Sequence, residues 1–492
     1  MSMSASPRDR IMGVETEFGC FVVPEFGRPE GAVEAIKNHV FLDARMGVLD
    51  RHARDEVFEP AESGGFLRNG GRLYIDAVGS HLEYATAECR TLRDLIAQDR
   101  AGQKMIVQAM RDMGIDEVVD VYSNSVDHFG GHTFGCHENY LVKMDEDFFS
   151  SQAPQLYPFL VTRQIFAGVG RVGGHELVEG GPPAYEELAA NPIDYIWVSN
   201  VYRVHPDPTV AYQISQRADH ILRTMASRVR FNRAMINPKW ETFYANEGRH
   251  RLHVLFGEAN QSRYAYALKV GTTHLVLRLL EEGVLKGRPR LLHPIHALQD
   301  ISRDPTYKWM VDCEHGSMSA VEIQREHLEW AQRYQGESEE TDWVLREWER
   351  TLDDLSLDPM RTADRLDWTA KKMMLARYLE DSGGEWSDDA LHSIDLEYHN
   401  IDPEKSLFHA LGLQGFGDDL DDLDAMTIPP TNTRAHGRGK LVKHLLDGPR
   451  RRAAIIDWSG AAVGRDTYLD FSDPFEPGDD VLSQLEPSAP AE

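Results

Sequence analysis

Residues 69–89, NGGRLYIDAVGSHLEYATAEC, form the segment that most constrains the fold. Within it, residues 72–76 alternate between polar and apolar side chains, which is the period of a β-strand. Leu73 and Ile75 can then face a hydrophobic core. The opposite face carries Arg72, Tyr74 and Asp76. A guanidinium, a phenol and a carboxylate on one face are more chemistry than a structural strand needs, so this pattern predicts a strand with a catalytic role.

A second stretch with strand periodicity, IMGVETEFG at residues 11–19, places two acids side by side. In a strand, Glu15 and Glu17 share one face and the apolar residues share the other. Neighbouring carboxylates repel each other and are costly to bury without a cation between them. A hard divalent ion such as Mg²⁺, with oxygen ligands and bound phosphates, is the usual partner. The alternative is a solvent-facing edge strand with two surface glutamates, and the spacing alone leaves both interpretations open.

Composition restricts the class of protein. The chain has 492 residues, 41% hydrophobic and 27% charged, so it is globular and long enough for more than one domain. It contains no apolar run that could span a membrane, and its N-terminus has no apolar signal core. The four cysteines form no CxxC pair, as expected for reduced thiols in the cytoplasm. A net charge of −28 argues against nucleic-acid binding and is also unfavourable for an acidic partner protein.

Nine short motifs of this chain together resemble one family. They are IMGVETEFG, FLRNGGRLYIDAVGSHLEYATAEC, FGCHENYL, PFLVTRQ, ISQRADHI, RLHVLFGEAN, LKVGTT, ISRDP and IQRE. In this order they resemble the Pup ligase and depupylase family of proteasome-accessory enzymes, relatives of glutamine synthetase, from residue 11 to about residue 475. The resemblance implies an α+β fold. In that fold a curved, largely antiparallel sheet carries the site on its concave face and is backed by helices, with a small C-terminal α/β domain beside it.

The resemblance also implies roles for individual residues. The family's magnesium-binding positions correspond to Glu15, Tyr74 and Glu83, and Glu17 shares the face of Glu15. The positions that contact ATP correspond to Arg72, Thr86 and Trp458. Asp76 corresponds to the catalytic aspartate, and His253 resembles a histidine near the second metal of glutamine-synthetase-like sites.

The residues by themselves leave structural alternatives open at several of these positions. Asp76 also fits a buried acid paired with Arg72. Trp458 also fits a core tryptophan, and a lone strand histidine such as His253 is more often structural. The polar motif at residues 137–139, His-Glu-Asn, fits a cluster near the nucleotide and a satisfied structural group equally well.

The activity implied by the resemblance is that of an ATP- and Mg²⁺-dependent ligase. A glutamate side-chain carboxylate of a small Pup-like modifier is activated as an acyl phosphate and joined to a protein lysine amine, with Asp76 as the base. Residues 66–89 are closer to the ligase branch of the family. An alternative is a deamidase or depupylase in which Asp76 attacks an amide, favoured by the longer segment before Phe66.

Two segments depart from the family pattern and support a third alternative, a nucleotide-binding or regulatory protein with a different substrate. At residues 236–254 the family's Asn-Thr-Arg-Asp-Glu-Pro-His run is altered, with Lys239 in place of the arginine and Trp240 in place of the aspartate. Lysine cannot reproduce the bidentate grip of arginine on a carboxylate. Residues 176–209 form an insertion that fits a lid, a partner-binding loop or a surface elaboration.

Four regions are predicted along the chain. Residues 1–10 form a flexible tail, and residues 11–425 form the large catalytic domain. Residues 426–476 form the small C-terminal domain. Residues 477–492 are acidic and contain proline, so we expect this end of the chain to be disordered.

Overall fold

The computed structural model describes residues 10–54, 59–76, 81–127, 133–179, 202–227, 233–239, 248–285, 289–413, 415–417, 422–448 and 453–485. The strands are β1 (Met12–Val22), β2 (Gly47–Leu49), β3 (Gly64–Leu67), β4 (Arg72–Asp76), β5 (His81–Ala85), β6 (Val119–Tyr122), β7 (Cys136–Lys143), β8 (Arg171–Glu179), β9 (Tyr202–Gln213), β10 (Arg223–Met225), β11 (Ala234–Asn237), β12 (Arg249–Val254), β13 (Met310–Cys313), β14 (Gly316–Ser319), β15 (Ala454–Ile456), β16 (Gly460–Val463) and β17 (Thr467–Asp470). The α-helices are α1 (Pro29–Asn38), α2 (Leu92–Met113), α3 (Tyr157–Thr162), α4 (Gln164–Ala167), α5 (Arg263–Glu281), α6 (Pro294–Arg303), α7 (Ala320–Ala331), α8 (Glu339–Leu357), α9 (Asp367–Ser382), α10 (Ala390–Glu397), α11 (Leu407–Leu411) and α12 (Ala435–Asp447).

One large sheet organises the described part of the chain. Its strand order is β10-β11-β12-β7-β1-β5-β4-β3-β2, and β6 pairs with the second half of β1. Neighbouring strands are antiparallel except for β10 and β11, which are parallel. β1 lies near the middle of this sheet, between β5 and β7. The predicted α+β class with a largely antiparallel sheet is confirmed.

The two faces of β1 have the character that its sequence predicts. Met12, Val14 and Phe18 are buried in hydrophobic clusters. Thr16 lies on the same face, and its hydroxyl donates to the carboxylate of Asp99 on α2, 3.3 Å away. The acid-bearing face of β1 therefore points away from α2.

Helix α2 follows residues 69–89 in the sequence. Its start is capped by Thr91, whose side chain accepts a hydrogen bond from the backbone of Asp94, and it ends at Gly114 in the left-handed conformation, with φ of 65°. The largest hydrophobic cluster joins β1, β7 and β12 to helices α5, α7 and α8, so these helices cover one face of the sheet. No helix in the described ranges combines the length and apolar character needed to cross a bilayer.

A smaller cluster forms around helix α12 and the three-stranded sheet β15-β16-β17. Phe66 of β3 is fully buried in this cluster, so the C-terminal elements pack directly on one edge of the large sheet. Val481 and Leu485 are also buried in the cluster, so the chain is folded as far as Leu485. Of the predicted tails at residues 1–10 and 477–492, residues 1–9 and 486–492 lie outside the described part of the chain. The predicted domain boundaries remain predictions.

The insertion predicted at residues 176–209 falls on a separate hairpin. Strands β8 and β9 pair with each other in a two-stranded antiparallel sheet. The described strands of the hairpin extend to Glu179 and resume at Tyr202, and residues 180–201 lie outside the described part of the chain. The three roles considered for this insertion therefore remain open.

Candidate active site

Strand register brings several of the predicted site residues into one row. Glu17 on β1 lies opposite Glu83 on β5, and Glu83 lies opposite Tyr74 on β4. Directly opposed residues of antiparallel strands point to the same face of a sheet. Two carboxylates and a phenol from three strands therefore meet on one face of the sheet.

The row continues across β7 and β12. His137 lies opposite Glu15, and Asn139 on the same strand lies opposite His253. The imidazole Nδ1 of His137 is 3.3 Å from Oε2 of Glu15. The Nε2 atom of His253 is 3.5 Å from the same oxygen. The structure thus brings His137 and Glu15 together with the predicted metal residue His253, and it favours the site interpretation of the His-Glu-Asn motif.

Two groups of side chains in this row could hold a metal ion. In each group the ligand atoms lie within 4.8 Å of one another. The first group is Glu15, His137 and His253, and the second is Glu17, Glu83 and His137. Four of the five predicted metal residues belong to these groups.

The carboxylates of the second group have opposite electrostatic surroundings. Burial raises the pKa of Glu83, and the charges of Glu17, Asp76 and Glu15 raise it further. Burial also acts to raise the pKa of Glu17, but the hydrogen bond and the charge of His81 outweigh it and lower that pKa to about 2. A divalent cation between Glu17 and Glu83 would remove the repulsion that Glu83 experiences. The residues present therefore fit a hard cation such as Mg²⁺.

Tyr74, the fifth predicted metal residue, lies beside this group. Burial raises the pKa of its phenol well above the ordinary value, and the charges of Glu83 and Glu15 add to the shift. The phenol is hydrogen-bonded to Glu83, and the guanidinium of Arg72 lies 4.5 Å from the centre of its ring. A neutral phenol is a weaker metal ligand than a carboxylate, so the contacts of Tyr74 support Glu83 directly.

Asp76 ends strand β4, next to the row. It lies opposite His81 in the register and is half-buried. His81 in turn is within 3.0 Å of Glu17, between its Nδ1 and the Oε2 atom. Residues 77–80 lie outside the described part of the chain.

Arg72, predicted to contact ATP, is buried and forms ion pairs with two acids. Its Nη2 atom is 2.9 Å from Oε2 of Glu59 and 3.4 Å from Oδ2 of Asp50. These contacts hold its guanidinium toward the segment that precedes β3. Its proposed contact with ATP remains a prediction.

A cleft opens between the large sheet and the C-terminal elements. It is lined by Glu15, Thr86, Glu88, Arg251, Arg434 and Trp458, among others. The indole of Trp458 is only half-buried and meets Phe66 edge to face, with 5.0 Å between ring centres. The hydroxyl of Thr86 accepts a hydrogen bond from the backbone of Val14, which ties the end of β5 to β1. An aromatic ring exposed to a cleft favours the adenine interpretation of Trp458 over a core role.

Sequence reasoning did not select several residues that contribute to this site. Arg251 donates to Oε1 of Glu15, at 3.2 Å, and lies two residues before His253 on β12. Because residues two apart in a strand share a face, this spacing could have identified it. Arg434 donates from Nε to Glu88 at 2.6 Å, a contact between distant segments that no local pattern indicates.

The altered loop at residues 236–254 is described only at its ends. Asn237 is buried at the end of β11, and its Oδ1 atom has no hydrogen-bond partner in the described part of the chain. Lys239 is exposed. Trp240, Glu241 and Phe243 lie outside the described residues, so the predicted change of substrate at this loop stays a prediction.

Comparisons with known proteins support the architecture. A Pup–protein ligase from Xylanimonas cellulosilytica is 34% identical over 470 residues, covering 91% of this chain and 92% of the relative. A depupylase from Acidothermus cellulolyticus is 33% identical over 472 residues, covering 88% of this chain and 87% of the relative.

Two solved structures are similar to this one. The complex between the prokaryotic ubiquitin-like protein Pup and its ligase PafA matches with a TM-score of 0.75 at 29% identity, covering 97% of this chain and 92% of that chain. The Pup ligase PafA in complex with ADP matches with a TM-score of 0.71 at 31% identity, covering 88% of this chain and 91% of that chain. The Pup-ligase protein family itself matches residues 10–462. The chain therefore belongs to the Pup-ligase protein family.

Proposed function

We propose that this protein is an ATP- and Mg²⁺-dependent ligase that joins the side-chain carboxylate of a terminal glutamate on a Pup-like modifier to a lysine amine of a target protein. The observation that carries this proposal is the row of acids across β4, β5 and β1, next to a cleft that exposes Trp458. The similarity to a ligase solved with Pup and to one solved with ADP supports the choice of modifier and nucleotide.

The reaction has two parts. The glutamate carboxylate first takes the γ-phosphoryl group of ATP, which leaves ADP and an acyl phosphate. The lysine amine then attacks the acyl carbon, and an isopeptide bond forms as phosphate leaves. Bound Mg²⁺ supplies positive charge to the phosphate oxygens, and Glu17 and Glu83 are the residues that would hold it.

Asp76 is the proposed base. A lysine amine has an ordinary pKa of about 10.4, so at neutral pH it must lose a proton before it can attack. Asp76 ends β4 at the edge of the acid row, where its carboxylate can accept that proton. The negative charge of Asp76 also acts on the acids of the row, since it contributes to the raised pKa of Glu83.

Positive charge near the row supports binding of an acidic modifier despite the net charge of −28. Burial lowers the pKa of Arg217, and it lowers the pKa of Arg233 to about 10. The nearby charge of Glu17 acts in the opposite direction on both. Arg217 donates to the backbone oxygen of Phe134 at 3.0 Å, whereas its Nε has no hydrogen-bond partner among the described residues. A carboxylate of the modifier would satisfy both arginines.

A depupylase or deamidase is the second candidate, favoured by the 33% identity to a relative of that name. In that reaction the carboxylate of Asp76 attacks the carbonyl carbon of an amide and expels the amine, and water then releases the enzyme. No ATP is consumed and no phosphate is released in the overall reaction. The two candidates therefore differ in a quantity that is simple to measure.

The test is phosphate release from Mg-ATP by the purified protein, with and without a small protein that ends in glutamate or in glutamine. Phosphate release that requires the glutamate form and is lost in Asp76→Asn supports the ligase. Ammonia released from the glutamine form without net ATP consumption supports the amidase. If ATP binds but neither product forms, the third alternative holds and the protein has a different substrate or a regulatory role.

A further inference from the structure

Three residues from separate segments form a line of hydrogen bonds beside the acid row. His220 lies in a single 3₁₀-helical turn, Ala218–His220, and is fully buried. Its Nδ1 atom is 3.0 Å from Nη1 of Arg233, the residue before β11. Its Nε2 atom is 2.9 Å from Nδ1 of His175 on β8. His220 therefore contacts an arginine on one side and the β8–β9 hairpin on the other.

The chemistry of these groups determines where their protons lie. A guanidinium only donates hydrogen bonds, so Nδ1 of His220 must accept from Arg233. A neutral imidazole that accepts at Nδ1 carries its proton on Nε2, and here that proton is donated to Nδ1 of His175. Burial, together with the charges of Arg233 and Arg171, holds the pKa of His220 well below its ordinary value. The ring is therefore neutral at neutral pH.

The far end of this line is fixed to the backbone of the hairpin. The backbone nitrogen of His175 donates to Oδ2 of Asp219 at 2.9 Å, and its backbone oxygen accepts from Arg303 at 2.8 Å. Arg303 also donates to Asp219 at 2.8 Å and to Asp207 on β9 at 3.0 Å. Both strands at the base of the hairpin are thus tied to the turn that carries His220, so the His175 ring is held against the His220 ring.

The near end of this line faces the acid row. The charge of Glu17 acts on both Arg233 and Arg217, so both guanidinium groups lie near that carboxylate. Arg217 is held by the backbone oxygen of Phe134, whereas Arg233 is held by the imidazole of His220. A neutral acceptor orients a guanidinium without cancelling its positive charge, whereas a carboxylate in the same place would cancel it. His220 thus directs Arg233 and leaves its charge intact.

We propose that His220 is a positioning residue for recognition of the modifier: it directs the guanidinium of Arg233 toward a carboxylate of the modifier, and His175 fixes the tautomer that this contact requires. This role rests on the proposed function, in which Arg217 and Arg233 bind that carboxylate. The base of the β8–β9 hairpin then acts on the site although its strands lie outside the large sheet. Loss of the acceptor should weaken binding of the modifier without changing binding of the nucleotide.

Steady-state phosphate release at varied concentrations of a modifier that ends in glutamate tests this role. His220→Leu removes both contacts and should raise the KM for the modifier by about tenfold or more, since a hydrogen bond to a charged group contributes that much. His220→Asn places an amide oxygen near the position of Nδ1 and should recover most of the loss. The affinity for ADP, measured by calorimetry, should keep its wild-type value in both variants.

His327→Leu is the matched control for these variants. His327 on α7 is as fully buried as His220, and its ring is hydrogen-bonded to the backbone oxygen of Ile323 in its own helix. Its replacement should keep the wild-type KM for the modifier. An unchanged KM in His220→Leu, an equal KM in His220→Leu and His220→Asn, or a parallel loss of ADP affinity would each overturn the proposal.

Nitrogen NMR of the protein labelled at histidine gives a readout that does not depend on activity. We expect the His220 ring to be neutral at neutral pH with its proton on Nε2, and its signals are identified by their loss in His220→Asn. A proton on Nδ1 in the wild type would overturn the proposal. The expected tautomer without binding of any modifier would refute the proposed function, and with it the carboxylate as the group that Arg233 binds. Modifier binding that is insensitive to His220→Leu would refute the positioning role alone.

Discussion

Two buried glutamates of β5 and the segment after it, Glu83 and Glu88, have opposite environments. Glu88 forms ion pairs with Arg434 and Arg438, and although burial acts to raise its pKa, these two charges lower it to about 2. Glu83 faces Glu17 and Asp76, and burial and those charges raise its pKa. The charge of Glu88 is therefore balanced by two arginines of the protein, whereas Glu83 lies beside further acids.

This contrast distinguishes a structural contact from a candidate ligand site. The ion pairs of Glu88 join the large sheet to helix α12, so its charge is balanced in the folded protein itself. A bound cation would balance the negative charge around Glu83. Carboxylates held in an unfavourable environment indicate a ligand site, whereas a fully paired carboxylate indicates a structural contact.

The largest expected effect comes from removing each carboxylate in turn. Glu88→Gln leaves two buried guanidinium groups without their counter-ion, so we expect the free energy of unfolding to fall by about 3–5 kcal/mol. Glu83→Gln removes repulsion and should leave stability unchanged or higher. Urea unfolding of both variants measures the difference. Equal losses in the two variants would mean that Glu83 is also structurally paired.

The pH dependence of stability sharpens the same comparison. The folded pKa of Glu88, about 2, lies below its ordinary value of about 4.3, so its contribution is fully present above that ordinary value and is lost as the pH falls toward 2. The difference between these two pKa values corresponds to about 3 kcal/mol in the free energy of unfolding. The stability difference between wild type and Glu88→Gln should therefore shrink between about pH 5 and pH 2. A difference that stays constant over this range would argue against the ion pairs.

We expect Mg²⁺ to stabilise the folded protein against unfolding in the absence of nucleotide. An ion that binds only the folded state raises the free energy of unfolding, by about 2.7 kcal/mol at one hundred times its dissociation constant. We expect thermal melting of the wild type to shift upward with Mg²⁺ and that of Glu83→Gln to shift less. Glu329→Gln, which changes an exposed acid on α7, is the matched control and should respond like the wild type. Sodium chloride at equal ionic strength should not reproduce the shift.

The smallest effect is expected at the cleft. Replacing Trp458 by leucine removes an aromatic face from the proposed adenine position, so nucleotide affinity should fall by about 0.5–1.5 kcal/mol. Tyr468→Leu changes an exposed aromatic residue of the same small sheet and should leave affinity unchanged. Calorimetry with ADP measures both. A loss that is equal in the two variants would point to a general effect on the C-terminal elements.

Local features of the fold could be predicted from the sequence. The alternation in residues 11–19 and 72–76 predicts which side chains share a face, and β1 and β4 have those faces. The start of α2 at Thr91 follows from its capping pattern. Such features depend on residues within one or two turns of each other, so the sequence contains them directly.

The contacts between segments depend on information that no local pattern carries. Arg72 forms ion pairs with Asp50 and Glu59, and His81 is hydrogen-bonded to Glu17. These are contacts of this kind. The position of His137 between Glu15 and Glu17 depends on the pairing of β7 with β1. A shift of one residue in that register would turn His137 to the other face of the sheet.

The sequence by itself determined the family, the alternating faces of strands β1 and β4 and the set of acids that we propose to carry the chemistry. The tertiary structure alone decided which of those acids are neutralised. Glu88 meets two arginines brought from α12 and the residue before it, and Glu83 meets two further acids. The reason is physical: the pKa of a buried carboxyl depends on charges within a few ångströms, and the two arginines that meet Glu88 lie 346 and 350 residues away in the chain.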